Sequence, residues 1–267
     1  GTSSAASTTT RNVSALALHT LPGTFLFDCG EGTARQLIRS TVKLNSLDAV
    51  FITHLHGDHC YGLPGLAMRT LNVRAEPIRV YGPLGIYKFF MTTWTGRNHL
   101  RLSEIVPPMA TRRHAWESVE SIPWDAKLGA YQVYENSQVR ILAVPIKHTV
   151  FCLGYVIEEK AQRGSFLVDK LYEDFGIVPG PIYKQLEGQE RFKLPDGRVI
   201  PVRDYQAPAK KPRKLVILGD TSDPSAIAPL AMGADVLVHE ATNTNQEQTI
   251  ALTHGHSTAG MAGAFAK

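Results

Sequence analysis

Cysteine is scarce in this chain of 267 residues: Cys29, Cys60 and Cys152 are the only three, and no two stand at CxxC spacing. An odd count so widely separated argues against a disulfide framework and for a reducing compartment. We therefore expect an intracellular protein, of the cytoplasm first and of an organelle second. Long apolar runs are missing as well. No stretch approaches the about 18 residues of a membrane span, so no membrane partner is expected. A strong charge of either sign is also absent. The 28 Lys and Arg against 24 Asp and Glu leave +4, which permits an anionic partner without demanding one. The basic residues gather at Arg112-Arg113-His114 and at Lys210-Lys211-Pro212-Arg213-Lys214. Each cluster suits a phosphate or a solvated loop equally well. The opening Gly1-Thr2-Ser3-Ser4 lacks an initiator Met and any signal or transit pattern.

Histidine, by contrast, is concentrated. The run Thr53-His54-Leu55-His56-Gly57-Asp58-His59 places four metal-binding groups within six residues. Imidazole together with carboxylate suits Zn²⁺, and to a lesser degree Mn²⁺, Fe²⁺ or Co²⁺. The preceding Ala49-Val50-Phe51-Ile52 is apolar and β-prone, so a strand delivers the ligands to a loop at its C-terminal end. Gly57 is expected to let that loop bend. Cys60 follows directly and is assigned to packing. Further ligands must come from elsewhere, and His148, Asp220, His254 and His256 each follow a strand signal or precede a helix signal. A strand-end Asp is also a common cap or turn residue.

The rest of the chain alternates strands with helices. Strands are expected at Ser14–Leu18 and Thr24–Asp28, joined by a turn at Leu21-Pro22-Gly23. Further strands are expected at Ile78–Tyr81, Val139–Val144, Cys152–Glu158, Lys214–Gly219 and Val236–His239. Helices are expected at Thr33–Ser40, 62–70, Leu84–Thr93 and Pro224–Met232, and from Thr258 on with Ser257 or Thr258 as N-cap. Between 97 and 130 the pattern is too weak to place elements. Residues 159–202 are charged and carry few strand signals, which marks an excursion with a function of its own. Two sheets, or a split sheet, between helices account for this order.

The chain resembles ribonuclease Z, the tRNA 3′-processing endonuclease family of the metallo-β-lactamase superfamily, in its short form. The resemblance rests on Phe27-Asp28-Cys29-Gly30-Glu31-Gly32-Thr33, the His54–His59 run with Gly62-Leu63-Pro64-Gly65, and Tyr81-Gly82-Pro83. It continues through His148, Pro179-Gly180-Pro181-Ile182-Tyr183, Leu218-Gly219-Asp220-Thr221, His239-Glu240-Ala241-Thr242 and His256-Ser257-Thr258-Ala259. It implies an α/β fold, the αββα sandwich, as one domain over 1–267 with a flexible arm, or exosite, inserted at about 159–202. It implies two Zn²⁺ per subunit, with Mn²⁺ as the substitute. His54, His56 and His148 hold one, Asp58 and His59 the other, and Asp220 bridges them. Its substrate is precursor tRNA, and its members are typically homodimers in which one arm serves the partner's site. Two family features are not found here: a short strand ahead of Gly1, and a last zinc histidine beyond the helix that starts at Thr258. We therefore expect the chain to be a longer protein's record, incomplete at both ends.

The chemistry expected is hydrolysis of a phosphodiester. Asp58 orients the attacking oxygen and takes its proton, His256 protonates the departing 3′ oxygen, and Glu240 holds the His256 imidazole. The products are a tRNA ending in 3′-OH and a trailer with 5′-phosphate. Arg11, within the small-residue opening, is expected to meet a substrate phosphate, and Gly180 and Pro181 to contact tRNA from the arm. The alternatives are another binuclear-metal phosphodiesterase or hydrolase of the same fold, and a non-catalytic tRNA-binding homologue.

Overall fold

Period-two alternation of apolar side chains decides the architecture. In a computed structural model, which describes residues 1–20, 23–71, 73–94, 100–108 and 119–267, six strands form the first sheet. They are β1 (Leu16–His19), β2 (Thr24–Phe27), β3 (Leu47–Phe51), β4 (Ile78–Pro83), β5 (Leu100–Ile105) and β6 (Glu120–Ile122). They lie in sequence order, β1 antiparallel to β2 and the rest parallel. The second sheet holds β7 (Tyr131–Glu135), β8 (Val139–Ile146) and β9 (Cys152–Glu159). The chain then makes an excursion that includes a hairpin of β10 (Arg191–Lys193) and β11 (Val199–Pro201). It returns to the second sheet as β12 (Lys214–Leu218) and β13 (Val236–Val238), giving the order β13-β12-β9-β8-β7.

Phe25, Phe27, Ala49 and Phe51 point from the first sheet into one core with Tyr131, Ile141, Ala143, Leu153, Tyr155 and Ile217 of the second. Their sequence neighbours Leu26, Val50 and Ile52 point the other way, onto helices α1 (Thr33–Arg39), α3 (Leu63–Thr70) and α4 (Ile86–Thr93). A single helical turn, α2 (Gly57–Cys60), precedes α3. On the second sheet, Leu142, Val144, Val156, Val216 and Leu218 face outward against Ile227, Leu230 and Phe265. Two of these residues belong to α7 (Ala228–Ala231) and α9 (Ala259–Phe265), named in chain order after α5 (Val168–Phe175) and α6 (Pro181–Leu186); α8 is Gln248–Thr253. Strands apolar on both faces need cover on both sides, and helix–sheet–sheet–helix layering supplies it. Burying each large side chain contributes about 1.5–3 kcal/mol.

The structure departs from the sequence expectation at informative places. The stretch that showed little pattern contains β5 and β6, and the second sheet begins directly after it. In β5 the apolar signal is broken by Ser103 and Glu104, which are nevertheless buried. Ser103 donates to Glu120, and Glu104 accepts from the Gly85 and Tyr87 amides at the start of α4. Their polarity is met by partners, which a sequence pattern does not display. The helix expected at Pro224–Met232 is a 3₁₀ turn, Ser225–Ile227, followed by α7. The turn at Leu21-Pro22 and the cluster Arg112-Arg113-His114 lie outside the described residues.

The chain separates into two compact units, Gly1–Glu158 with Lys214–Lys267, and Glu159–Arg213. The excursion thus continues past 202. It has its own core of Leu171, Ile177, Leu186, Leu194, Ile200, Val202 and Tyr205. These residues come one or two per element, so no segment shows a period. Gly176, at φ 71°, ends α5 in the left-handed region that a C-terminal cap requires. Gly180 and Pro181 open α6, with Pro181 in the first turn. No helix among the described residues is long and apolar enough to cross a membrane.

Candidate metal centre

The polar residues of interest stand at strand ends along one edge of the sandwich. His54 and His56 follow β3, and Asp58 and His59 lie in α2. His148 follows β8, Asp220 follows β12, Glu240 follows β13 and His256 precedes α9. Chain turns bring these ends together: the Leu153 amide donates to the Thr53 carbonyl, and the Gly219 amide to the Leu153 carbonyl. The expected reason for Gly57 does not hold. Its φ is not positive, and a Cβ there would instead strike the Tyr61 ring at 2.5 Å. Glycine leaves room for that ring.

Three donor atoms converge first. His54 Nε2 is 3.1 Å from His56 Nδ1, which is 3.3 Å from His148 Nε2. Nitrogens around a tetrahedral zinc stand about 3.3 Å apart, given Zn–N near 2.0–2.1 Å. His148 Nδ1–H donates to the Gly255 carbonyl at 2.7 Å, so its Nε2 presents a lone pair to the cluster. Burial, and then the neighbouring imidazoles, hold His54 far below the ordinary histidine range, and burial and His148 lower His56. The neutral form of the His54 and His56 rings, the form that ligates, is thereby favoured.

His59 is opposite in character. Its Nδ1 is 2.6 Å from Asp28 Oδ2, and its Nε2 is 3.3 Å from Asp220 Oδ2 and 3.6 Å from Asp58 Oδ2. Burial works against its charged form, yet Asp28 and Asp220 outweigh it and raise the imidazole to about 11. Three carboxylates around one ring call for positive charge there, from a proton or from a bound cation. Asp220 Oδ2 lies 3.8 Å from His54 Nε2, so that carboxylate reaches both donor groups. His54, His56 and His148 form one set able to hold a metal ion, and His54, His59 and Asp220 a second. The donors fit divalent cations.

Beyond them, His256 Nδ1–H donates to Glu240 Oε1 at 2.9 Å. That bond raises the His256 imidazole above its ordinary value, against the effect of burial. Glu240 is held from three sides. Although burial favours its neutral form, its hydrogen bonds from His256, Thr242 and the Thr221 amide lower it overall. A cavity of about 960 Å³ borders Asp58, His59, Asp220 and Glu240, and Gly1, Thr2, Ser3, Ser4, Thr8, Thr10 and Arg11 line it too. The Ala5 amide donates to Asp58 Oδ2 at 2.8 Å. His254 is exposed and outside the cluster. Cys60 is buried and donates to the His56 carbonyl; burial pushes its thiol up to about 12, so it packs and does not ligate. Gly180 and Pro181 belong to the other compact unit. Sequence reasoning gave no role to Thr53 or Asp28, although Asp28 stands at φ 60°, a conformation unusual outside glycine.

Several known proteins are similar to this chain. The family description "Anti-Pycsar protein Apyc1" matches residues 1–96. A ribonuclease Z of Brevibacillus brevis is 39% identical over 272 residues, spanning 100% of this chain and 79% of that protein. The crystal structure of the human tRNase Z short form is 30% identical with a TM-score of 0.68, over 97% of this chain and 82% of that one. The metallo-beta-lactamase fold protein YhfI of Bacillus subtilis shares the fold at 16% identity, with a TM-score of 0.58 over 98% and 76% of the two chains.

Proposed function

Because the chain belongs to the ribonuclease Z family, we propose that it is a zinc-dependent endoribonuclease that removes the 3′ trailer from precursor tRNA. The convergence of His54, His56 and His148 beside His59, Asp58 and Asp220 carries this reading. The imidazole-rich donor set favours Zn²⁺ over hard cations, with Mn²⁺ the next candidate. His54, His56 and His148 would hold one ion, and Asp58 and His59 the other, with Asp220 shared. A pair of such ions, when bound, activates water at neutral pH and offsets charge on the phosphate.

The chain's own groups do the rest. Asp58 faces the cavity and accepts the proton of the attacking water. His256, fixed through Nδ1 by Glu240, offers its other nitrogen to the departing 3′ oxygen and gives it a proton. Gly1, Thr2, Ser3, Ser4, Thr8 and Thr10 border the same cavity as Asp58, which suits the tRNA 3′ end, and Arg11 meets a phosphate there. The unit Glu159–Arg213 grips the tRNA body through shape and backbone, as duplex RNA is generally read, with Gly180 and Pro181 among its contacts. The helices of the first layer leave Ile38, Met68 and Met91 exposed, and the link between α2 and α3 leaves Tyr61 exposed. A homodimer belongs to the same reading and is checked by light scattering of the purified protein.

The decisive experiment incubates the protein with an end-labelled precursor tRNA, with and without chelator. The expected products are a tRNA with 3′-OH and a trailer with 5′-phosphate. Chelation is expected to stop cleavage and Zn²⁺ to restore it. Cleavage that persists after complete metal removal refutes the reading.

Removing the second unit separates binding from chemistry. Glu158 and Lys214 are cross-strand partners in antiparallel β9 and β12, so an Asn-Gly turn can replace 159–213. That variant is expected to lose about tenfold or more in precursor tRNA affinity, at least ~1.4 kcal/mol, and to hydrolyse a small phosphodiester normally. Equal loss on both substrates assigns the unit a structural role instead.

A further inference from the structure

We infer that Thr53 is a positioning residue that couples the two metal sites to one carboxylate, Asp28. Thr53 donates through both its amide and its hydroxyl to Asp28 Oδ1, at 2.8 and 2.9 Å. The same hydroxyl oxygen lies 3.0 Å from His54 Nδ1. A hydroxyl carries a single proton, and Asp28 Oδ1 accepts it. Thr53 Oγ1 therefore meets His54 as an acceptor, and His54 Nδ1 must carry hydrogen. That tautomer leaves the lone pair on Nε2, the atom that faces His56 and Asp220.

Asp28 orients His59 by the same logic but directly, since its Oδ2 accepts from His59 Nδ1–H and turns Nε2 toward Asp58 and Asp220. One carboxylate thus sets an imidazole of each donor group, one through a hydroxyl relay and one without. The arrangement is tightly built. Asp28, Thr53, His54 and His59 are all buried, and Asp28 is held at φ 60° to make it. Among the described residues, His54 Nδ1 also lies 3.6 Å from the Cys152 thiol, a weak acceptor. Partners behind a metal-binding histidine fix its tautomer and orientation, and their loss costs about 10–100-fold in metal affinity.

The inference rests on the two-cation reading, and its test uses the full chain with Thr53→Val, Thr53→Ser and Asp28→Asn variants. Metal uptake is measured by titrating Zn²⁺ against a competing chelator, and the first-bound Co²⁺ is followed by its visible absorption. Thr53→Val, which keeps shape and removes the hydroxyl, is expected to weaken one equivalent about 10–100-fold, alter the Co²⁺ spectrum and leave the other equivalent near normal. Thr53→Ser is expected to restore wild-type uptake, and Asp28→Asn to weaken both equivalents. Wild-type uptake by Thr53→Val, or equal loss in Thr53→Val and Thr53→Ser, overturns the relay while the two-cation reading stands. Wild-type protein that takes up no metal overturns both.

Discussion

Asp58→Ala is expected to reduce cleavage of precursor tRNA to background while tRNA affinity stays nearly unchanged. Two losses combine in this substitution. Asp58 Oδ2 sits 3.6 Å from His59 Nε2 at the edge of the cavity, so its removal strips a donor from the second cation. It also removes the group that takes the proton of the attacking water, and general bases contribute about 10²–10⁴ in rate. Binding is spared because the contacts that hold a tRNA are spread over many phosphates. The check pairs single-turnover cleavage with a binding isotherm and a metal count. The set His54, His56 and His148 does not involve Asp58, so one ion is expected to remain. An Asp58→Ala protein with normal turnover would refute the scheme.

His256→Ala is expected to slow the chemical step by roughly two to four orders of magnitude with metal content intact. The imidazole is bonded to Glu240 through Nδ1 and stands 3.8 Å from the Asp220 carboxylate. That places it beside the donor cluster with Nδ1 already engaged. Loss of a metal ion in this variant would make His256 a ligand and end its assignment as an acid. Its pH behaviour has a definite sign. An acid works only while protonated, and the Glu240 hydrogen bond raises the His256 imidazole. Rate therefore falls on the alkaline side as the proton leaves. Glu240→Gln withdraws the supporting charge, so the fall moves to lower pH than in the wild type. An unmoved alkaline limb separates Glu240 from the acid.

Metal content also decides between the enzyme and a non-catalytic RNA-binding relative: about two ions per chain accord with the former, and none or one with the latter. Another hydrolase of the same fold is answered by the two substrates of the 159–213 deletion. A small-substrate enzyme has no use for that unit and is indifferent to its loss on every substrate.

Much of the centre was legible in the chain itself. His54, His56, Asp58 and His59 fall within one strand-end run, and local spacing is enough to bring them together. Strand signals were legible wherever both faces of a strand are apolar, as in β2, β3, β9 and β12, because the two-layer burial writes itself into the sequence. β5 was not, since Ser103 and Glu104 are buried on the strength of partners that lie elsewhere. The core of 159–213 was not legible either, being assembled from single residues of several short elements. Tertiary structure alone decided that His148, Asp220 and His256 reach the same point, because this requires the ends of strands from two sheets to meet along one edge. It alone revealed Asp28 and Thr53 behind the imidazoles. Sequence names the candidate donors, but which nitrogen of His59 or His148 faces the cluster depends on a hydrogen bond to a distant residue, Asp28 or Gly255, and that is set only when the chain has folded.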